Sequence, residues 1–343
     1  MQVSIVILNW NGEKYLSQFL PILIEKTQLS DVEIVVADNG STDNSVKLLQ
    51  KNFPSVKLLL FDKNYGFAGG YNKALNQLQS DYFVLLNSDM EVTDNWLQPM
   101  LEYMKEHENV AACQPKIHSY FRRSYFEHAG AAGGFIDPYG FAFCRGRIFG
   151  RVEEDRGQYD DIKDIFWASG ACMMVRAELF SKVGGFDDEF FAHMEEIDLC
   201  WRFNSRGYRV ICVPQSVVYH IGGGTLNAEH PHKTYLNFRN NLLLLYKNLP
   251  NHQLKNIMQR RTIFDYLAAF QLFMSGKFKN AQSVLRARKD FKRMKNRFEG
   301  KRKENILYST VSDLPTIYPK SIVIEYYLKG KNKFSDLYFP DLE

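Results

Sequence analysis

The sequence predicts an α/β protein: a doubly wound, mostly parallel sheet followed by a C-terminal helical appendage. Apolar runs alternate with helical patterns through the first hundred or so residues, the rhythm of βαβ units. The runs are nearly unbroken Val, Ile and Leu, as expected of strands covered on both faces. After Pro231 the pattern shifts to long helical stretches rich in Lys and Arg. At 343 residues and 45% hydrophobic, the chain can bury one large domain plus an appendage, or two domains.

Taken in order, "VSIVIL" (Val3 to Leu8) reads as a strand and Glu13 to Lys26 as a helix. "VEIVVAD" (Val32 to Asp38) is a second strand, followed by a polar turn and a helix near Asn44 to Asn52. "VKLLLF" (Val56 to Phe61) is a third, followed by the glycine-rich "NYGFAGGYN" and a helix to about Gln79. "YFVLLNSDMEV" opens with the fourth strand, and Trp96 to His107 reads as a helix. Residues from about 118 to 165 lack a clear period and are expected to be a long functional loop region. "FWASGACMMV" is another strand, "HMEEIDLCWR" starts a helix with Ile197, Cys200 and Trp201 on one face, and "VVYH" closes a further apolar run. Right-handed crossovers in such a sheet put ligands at the C-terminal strand tips, near Asn9, Asp38, Asn64 and Asp89.

The totals narrow the class. A net charge of +4 does not by itself point to nucleic acid. Five cysteines without CxxC spacing fit free core thiols better than a disulfide framework or a zinc site. The N-terminus lacks a signal-peptide pattern, and "FDYLAAFQLFM" is interrupted by Asp265 and Gln271, so no membrane span is expected. The expected location is cytoplasmic.

Several residues at the tips carry chemistry. Asp89 ends the fourth strand behind Asn87 and Ser88, either as a ligand group or as an ordinary turn former. Asp38 ends the second, and Ser41 or Asp43 is expected to cap the helix that follows. Gly66, Gly69 and Gly70 permit either backbone approach to a phosphate at a helix start or tight strand–helix packing. No GxGxxG follows the first strand, which argues against a nicotinamide enzyme. Glu195, Glu196 and Asp198 crowd into one helix start. They serve the helix dipole, or they repel one another and raise one carboxyl into the range of a general base. Glu196 is expected off the buried stripe. His220, before three glycines, is structural or a metal ligand. A nucleotide sugar would use all of these groups.

These stretches resemble the family 2 glycosyltransferases with the GT-A fold, and within them the bacterial rhamnosyltransferase-like branch that builds surface polysaccharides. The resemblance rests on "VSIVILNWNGEKYL", "VVADNGSTDNS", "NYGFAGGYN", "VLLNSDMEV", "SGACMMVRAELFSKVGGFDDEFFAHMEEIDLCWR" and "VVYHIGGG", spread over roughly residues 3 to 225. It implies a glycosyltransferase domain over 1–233 and a mainly helical, basic region over 234–343. It implies inverting transfer from a dTDP-, UDP- or GDP-linked sugar to a saccharide or polyprenyl-linked saccharide acceptor, with Mg or Mn. By the same match Asn9 and Asp38 face the nucleoside, and Asn64 and Gly66 lie along it. Asn87 and Asp89 stand at the acidic metal motif, and His220 is a second metal ligand. Glu195 and Glu196 are the catalytic pair, with Glu196 the base and Glu195 or Asp198 its alternatives. The chain departs from the family pattern with Asn-Ser-Asp in place of Asp-x-Asp and Glu-Glu in place of Glu-Asp. One protein carboxylate plus donor phosphate oxygens suffices for Mg.

Toward the C-terminus "FMSGKFKNAQSVLRARKDFKRMKNRFEGKRKE" carries about a dozen Lys and Arg with Phe and Leu interleaved on a helical period. This reads as an amphipathic helix for an anionic membrane surface, which would make the protein peripheral at the inner face of the plasma membrane. A solvated face is the plain alternative, and no RNA-binding motif supports nucleic acid. A nucleotidyltransferase of similar fold and a donor-binding pseudoenzyme are the other readings.

Overall fold

Each N-terminal apolar run forms a strand: β1 (Val3–Asn9), β2 (Val32–Asp38), β3 (Lys57–Leu60) and β4 (Tyr82–Leu86). The computed structural model describes residues 2–222, 230–311 and 313–340. Between the strands lie α1 (Glu13–Lys26), α2 (Ser45–Asn52) and α3 (Gly66–Leu75). Helix α1 buries Leu16, Phe19, Leu20 and Leu23, the i, i+3, i+4, i+7 stripe of a core-facing helix. The strands lie side by side in the order β3-β2-β1-β4, all parallel. Register then sets the site. Val3 pairs with both Val32 and Tyr82, so Asn9 falls opposite Asp38, and Ile7 opposite Leu86. Three strand tips end level, as the sequence predicts.

The chain continues through β5 (Met90–Val92), α4 (Gln98–Glu106) and β6 (Val110–Ser119). Next come β7 (Gly134–Ile136), β8 (Ala142–Cys144), β9 (Arg147–Ile148), β10 (Arg151–Val152) and β11 (Lys163–Asp164). They are followed by β12 (Cys172–Arg176), α5 (Ala177–Lys182), α6 (Glu195–Ser205) and β13 (Arg209–His220). The main sheet extends past β4 with β12 antiparallel to it, then β6, β13 and edge strand β11, while β5 pairs with β13. Residues 118–165 correct the expectation of a long loop. They contain a four-stranded antiparallel sheet, β10-β9-β8-β7, whose Phe135 and Phe143 pack on Tyr318, Phe334 and Phe339. Its strands are two or three residues long, too short to show a period of two.

The C-terminal helices are α7 (Pro231–Asn248), α8 (Asn251–Met274), α9 (Phe278–Met294), α10 (Glu299–Tyr308) and α11 (Ile322–Tyr327). Leu242 to Leu245 of α7 lie fully buried in the same core cluster as Phe166 and Trp201. All five cysteines are buried free thiols. Among the described residues no helix is long and apolar enough to cross a membrane.

Candidate active site

At the β1 and β2 tips, Asn9 Nδ2 donates to Asp38 Oδ2 at 3.0 Å and to Ser41 Oγ at 3.2 Å. The backbone N–H of Ser41 donates to Asp38 Oδ1 at 2.9 Å. Asn9 and Asp38 lie together at the tips, with the Asn9 amide nitrogen holding the Asp38 carboxylate. Asn9 Oδ1 remains buried without a partner among the described residues. Asp43 accepts from the first N–H of α2, Ser45 N, and of α1, Glu13 N, each at 3.0 Å, while the N-cap position of α2 is Asn44, whose side chain makes no cap bond.

The glycine-rich turn follows the packing alternative. Asn64 Oδ1 accepts from Gly66 N at 2.7 Å and from Asn39 Nδ2 at 3.1 Å, closing a local turn. The first free N–H groups of α3, on Phe67 and Ala68, both donate to the carbonyl of Phe191, at 2.7 and 3.2 Å. They are not available to a phosphate, which corrects that expectation for the turn. Gly66 has φ +75°, and a Cβ there would meet the Phe191 ring at 2.5 Å. A Cβ at Gly70 would meet Leu8 at 2.8 Å. These glycines bring α3 against β1 and the 186–194 segment.

At the β4 tip, Asn87 is held by its backbone, whose N–H donates to Ala171 O at 2.9 Å. The antiparallel pairing of β5 with β13 sets His220 opposite Met90. This ladder brings His220 Nε2 to 3.2 Å from Asp89 Oδ1 across 131 positions of sequence. Glu127 Oε2 stands 3.2 Å from the other ring nitrogen, Nδ1, and also accepts from Ala129 N. Burial opposes a charged imidazole, but the two carboxylates outweigh it and raise His220 to about 10. The site is built to hold one positive charge between two carboxylates. Glu127 was not singled out in the sequence, although "FEHAG" places an acid and a histidine before a glycine cluster.

The acids of α6 separate into different roles. Asp198 is fully buried, with Oδ2 accepting from Lys247 Nζ at 2.8 Å and Arg202 Nε at 3.0 Å, and Oδ1 accepting from Asn248 Nδ2 at 2.9 Å. Burial would raise it, but Lys247 and Arg202 hold it down at about 2. A carboxyl so placed has neither the access nor the basicity to serve as base. Glu195 is buried and Glu196 half-buried, and each leaves Oε2 without a partner among the described residues. Burial, reinforced by Glu196, pushes Glu195 well above the ordinary carboxyl range. Burial pushes Glu196 up to about 7. Desolvation leads in both, ahead of the mutual repulsion expected from the spacing.

The segment before α6 is strained and clamped. Phe191, His193 and Met194 have φ of 65°, 71° and 75°, a left-handed conformation uncommon outside glycine and concentrated at functional sites. Helix α7 holds it there. Asn240 Nδ2 donates to the carbonyls of Phe190, Ala192 and His193 at 2.9, 2.8 and 2.7 Å. Lys247 bonds Asp187 as well as Asp198. Lys233, at the start of α7, lies within electrostatic reach of Glu127 and of His193. A surface cleft of about 410 Å³ at the opposite end of the sheet, lined by Leu75, Gln79, Phe83 and Phe180, contains none of these groups.

For Asp89 and His220 to hold a divalent cation, His220 would have to give up the proton that Asp89 and Glu127 favour. Two ligand atoms on one ion, each about 2.1 Å from it and at a right angle, stand roughly 3 Å apart. Asp89 Oδ1 and His220 Nε2 are at that spacing, and a carboxylate behind a metal-binding imidazole is the usual outer support. Among the described residues no cluster of three or more His, Cys, Asp or Glu forms a complete ligand set. The remaining positions would fall to donor phosphate oxygens and water.

The strand tips carry a carboxylate–histidine pair, and the segment with positive φ before α6 leads into two acids that each leave one buried oxygen without a partner among the described residues. Residues 4–184, more than half of the chain, match the model of "Glycosyl transferase family 2", and the chain belongs to that family. It is 26% identical over 233 residues to the N-acetylglucosaminyl-diphospho-decaprenol L-rhamnosyltransferase of Mycobacterium tuberculosis, covering 64% of this chain and 75% of the relative. Its fold resembles GalNAc-T7 with UDP, GalNAc and Mn2+, at a TM-score of 0.58 and 16% identity, covering 92% of this chain and 58% of that one. It also resembles S. aureus TarS 1-349 in complex with UDP-GlcNAc, at a TM-score of 0.55 and 16% identity, covering 90% of this chain and 89% of that one. The fold is GT-A. The protein is therefore a glycosyltransferase using a nucleotide sugar, and the nucleotidyltransferase alternative falls.

Proposed function

We propose that this glycosyltransferase performs an inverting, cation-assisted transfer from a nucleoside-diphosphate sugar to a saccharide carried on a lipid diphosphate. The observation that carries the proposal is Glu196: half-buried, one oxygen unpartnered among the described residues, and raised to about 7. A base with its pKa near the working pH combines proton affinity with a usable ionised fraction.

Asp38, fixed by Asn9 and Ser41, receives the nucleoside, and Asn64, Gly66 and Asn87 line the same edge. Lys233 approaches the donor diphosphate. Asp89 and His220, supported by Glu127, would hold a divalent cation, Mg or Mn, which when bound neutralises charge on the departing diphosphate. Glu196 takes the proton of the acceptor hydroxyl as that oxygen attacks the anomeric carbon from the face opposite the diphosphate. The anomeric carbon–oxygen bond breaks, and its electron pair leaves on the nucleoside diphosphate. Glu195, whose carboxyl burial and Glu196 push well above the ordinary range, lies beside Glu196, and Asp198 positions α6 through Lys247 and Arg202.

The Mycobacterium tuberculosis relative, named for a lipid-diphosphate acceptor, supports the acceptor class. The UDP-GlcNAc complex of TarS supports the donor class. The test is a panel of dTDP-, UDP- and GDP-sugars with N-acetylglucosaminyl-diphospho-polyprenol, the product configuration read by NMR. Inversion is expected with one donor nucleotide. A product that retains the donor configuration rejects the mechanism.

A further inference from the structure

The outer face of α8 is largely open: Arg288 lies over the Tyr266 ring and Phe278 packs on Phe273, yet the apolar residues stay exposed. Ile263, Tyr266, Leu267, Phe270, Phe273 and Met274 follow helical spacing and are each 53 to 67% exposed, a contiguous apolar strip of the kind monomers seldom leave open. The opposite face fixes the roll of the helix. Arg261 Nε bonds Asp265 Oδ1 at 2.7 Å inside the protein, and Arg288 of α9 bonds the other Asp265 oxygen and Thr262. Asp265, which interrupts the apolar run in sequence, points inward and leaves the strip intact. The basic stretch from Phe273 to Glu304 reads in sequence as a membrane face, and α9 is its largest part. In the structure Ala281, Val284, Ala287 and Phe291 of α9 are buried, so its main apolar face is spent on the fold.

Charge decides what covers the strip. Between residues 251 and 298 the only carboxylates are Asp265 and Asp290. The first is buried, and the second bonds Tyr235 and lies near Arg286 and Arg293. Lys255 and Arg260 on α8, Lys277 in the α8–α9 turn, and Lys279, Lys289 and Lys292 on α9 are all exposed. A second copy would set these cations against their own image, and nucleic acid would leave the apolar strip unused.

We propose that the outer face of α8, with the α8–α9 turn, docks the protein on an anionic lipid bilayer, the helix lying in the plane of the surface. Apolar side chains enter the acyl boundary while the lysines reach anionic headgroups. The contact does not rest on the transferase reading. Vesicle binding is scored without donor and nucleotide binding without vesicles, so the two ideas fail separately.

The experiment is flotation of the full chain with phosphatidylcholine vesicles, with and without about one-third phosphatidylglycerol. Flotation is expected only with the anionic vesicles, and it should fall severalfold between about 50 and 500 mM salt. The double variant L267E/F270E should lose it by at least about tenfold, and K277E/K279E by less. Phe270→Trp supplies a readout without a charge change: on vesicle addition its emission, less that of the wild type, should shift to the blue and be quenched by brominated acyl chains. The proposal is overturned if the wild type stays unbound at low salt or if L267E/F270E floats like wild type. An unshifted emission from the Phe270→Trp variant also overturns it. So does a wild-type dimer that L267E/F270E disperses, since the strip is then covered by a second copy. Equal retention of wild type and L267E/F270E on an RNA homopolymer, without vesicle binding, overturns it too and assigns the patch to polyanions.

Discussion

Replacing Glu196 by Gln should abolish catalysis and stabilise the fold, with the two effects tied to one carboxyl. Folding lifts this group from an ordinary 4.5 to about 7, chiefly through burial. The native state therefore holds the proton more tightly than the unfolded chain. Stability falls as pH rises from about 4.5 through about 7, by about 3 kcal/mol in total. Glutamine cannot ionise and escapes that loss. The variant should match wild type near pH 4.5 and melt about 4 °C higher at pH 8, given the unfolding entropy of a chain this long. Transfer should drop by roughly 10²- to 10⁴-fold, the usual contribution of a positioned base, with nucleotide affinity unchanged. In the wild type, kcat should rise with pH through about 7. Thermal melts at the two pH values and single-turnover transfer are the assays. Retained turnover, or a melting difference that does not grow with pH, refutes the assignment.

Glu127→Gln should weaken Mn binding in the presence of nucleotide by about 10- to 100-fold, read by electron paramagnetic resonance, because it removes the outer support of His220. Lys247→Ala removes the cation that Asp187 and Asp198 share but leaves Lys301 on the first and Arg202 on the second, and should cost about 2–3 kcal/mol in denaturant unfolding. Gly66→Ala forces a Cβ into the Phe191 ring at positive φ; about 2 kcal/mol of stability should be lost, with nucleotide affinity reduced. Lys233→Ala should weaken nucleoside diphosphate several-fold in calorimetry while leaving nucleoside binding unchanged.

The parallel half of the sheet was legible because doubly covered strands leave unbroken apolar runs and in-register pairing makes tip residues neighbours. Asn9, Asp38 and Asp89 could therefore be placed by counting from strand starts. His220 was found as a strand end, but its meeting with Asp89 depends on β5, three residues long, which no periodicity reveals. The partner of Asp198 was invisible for a similar reason. Lys247 sits 49 positions away on a helix that reads in sequence as part of an appendage. Local sequence does not report burial or competition, so one expectation failed and another held with a different leading cause. The α3 amides are taken by the Phe191 carbonyl, and the raised acids of α6 owe more to desolvation than to crowding. The basic C-terminal stretch is legible from charge alone, but which face of α8 stays exposed depends on Arg288 bonding Asp265 from α9, a contact no local pattern reports.

The most direct measurement of the central claim is calorimetric titration of the full chain with UDP, dTDP and GDP, each with and without Mn, repeated on Asp89→Ala. One nucleotide should bind in a Mn-dependent way, and the substitution should remove the Mn-dependent part. A folded protein that binds none of them, or binds one equally well after Asp89→Ala, contradicts the account of the strand tips as the donor site.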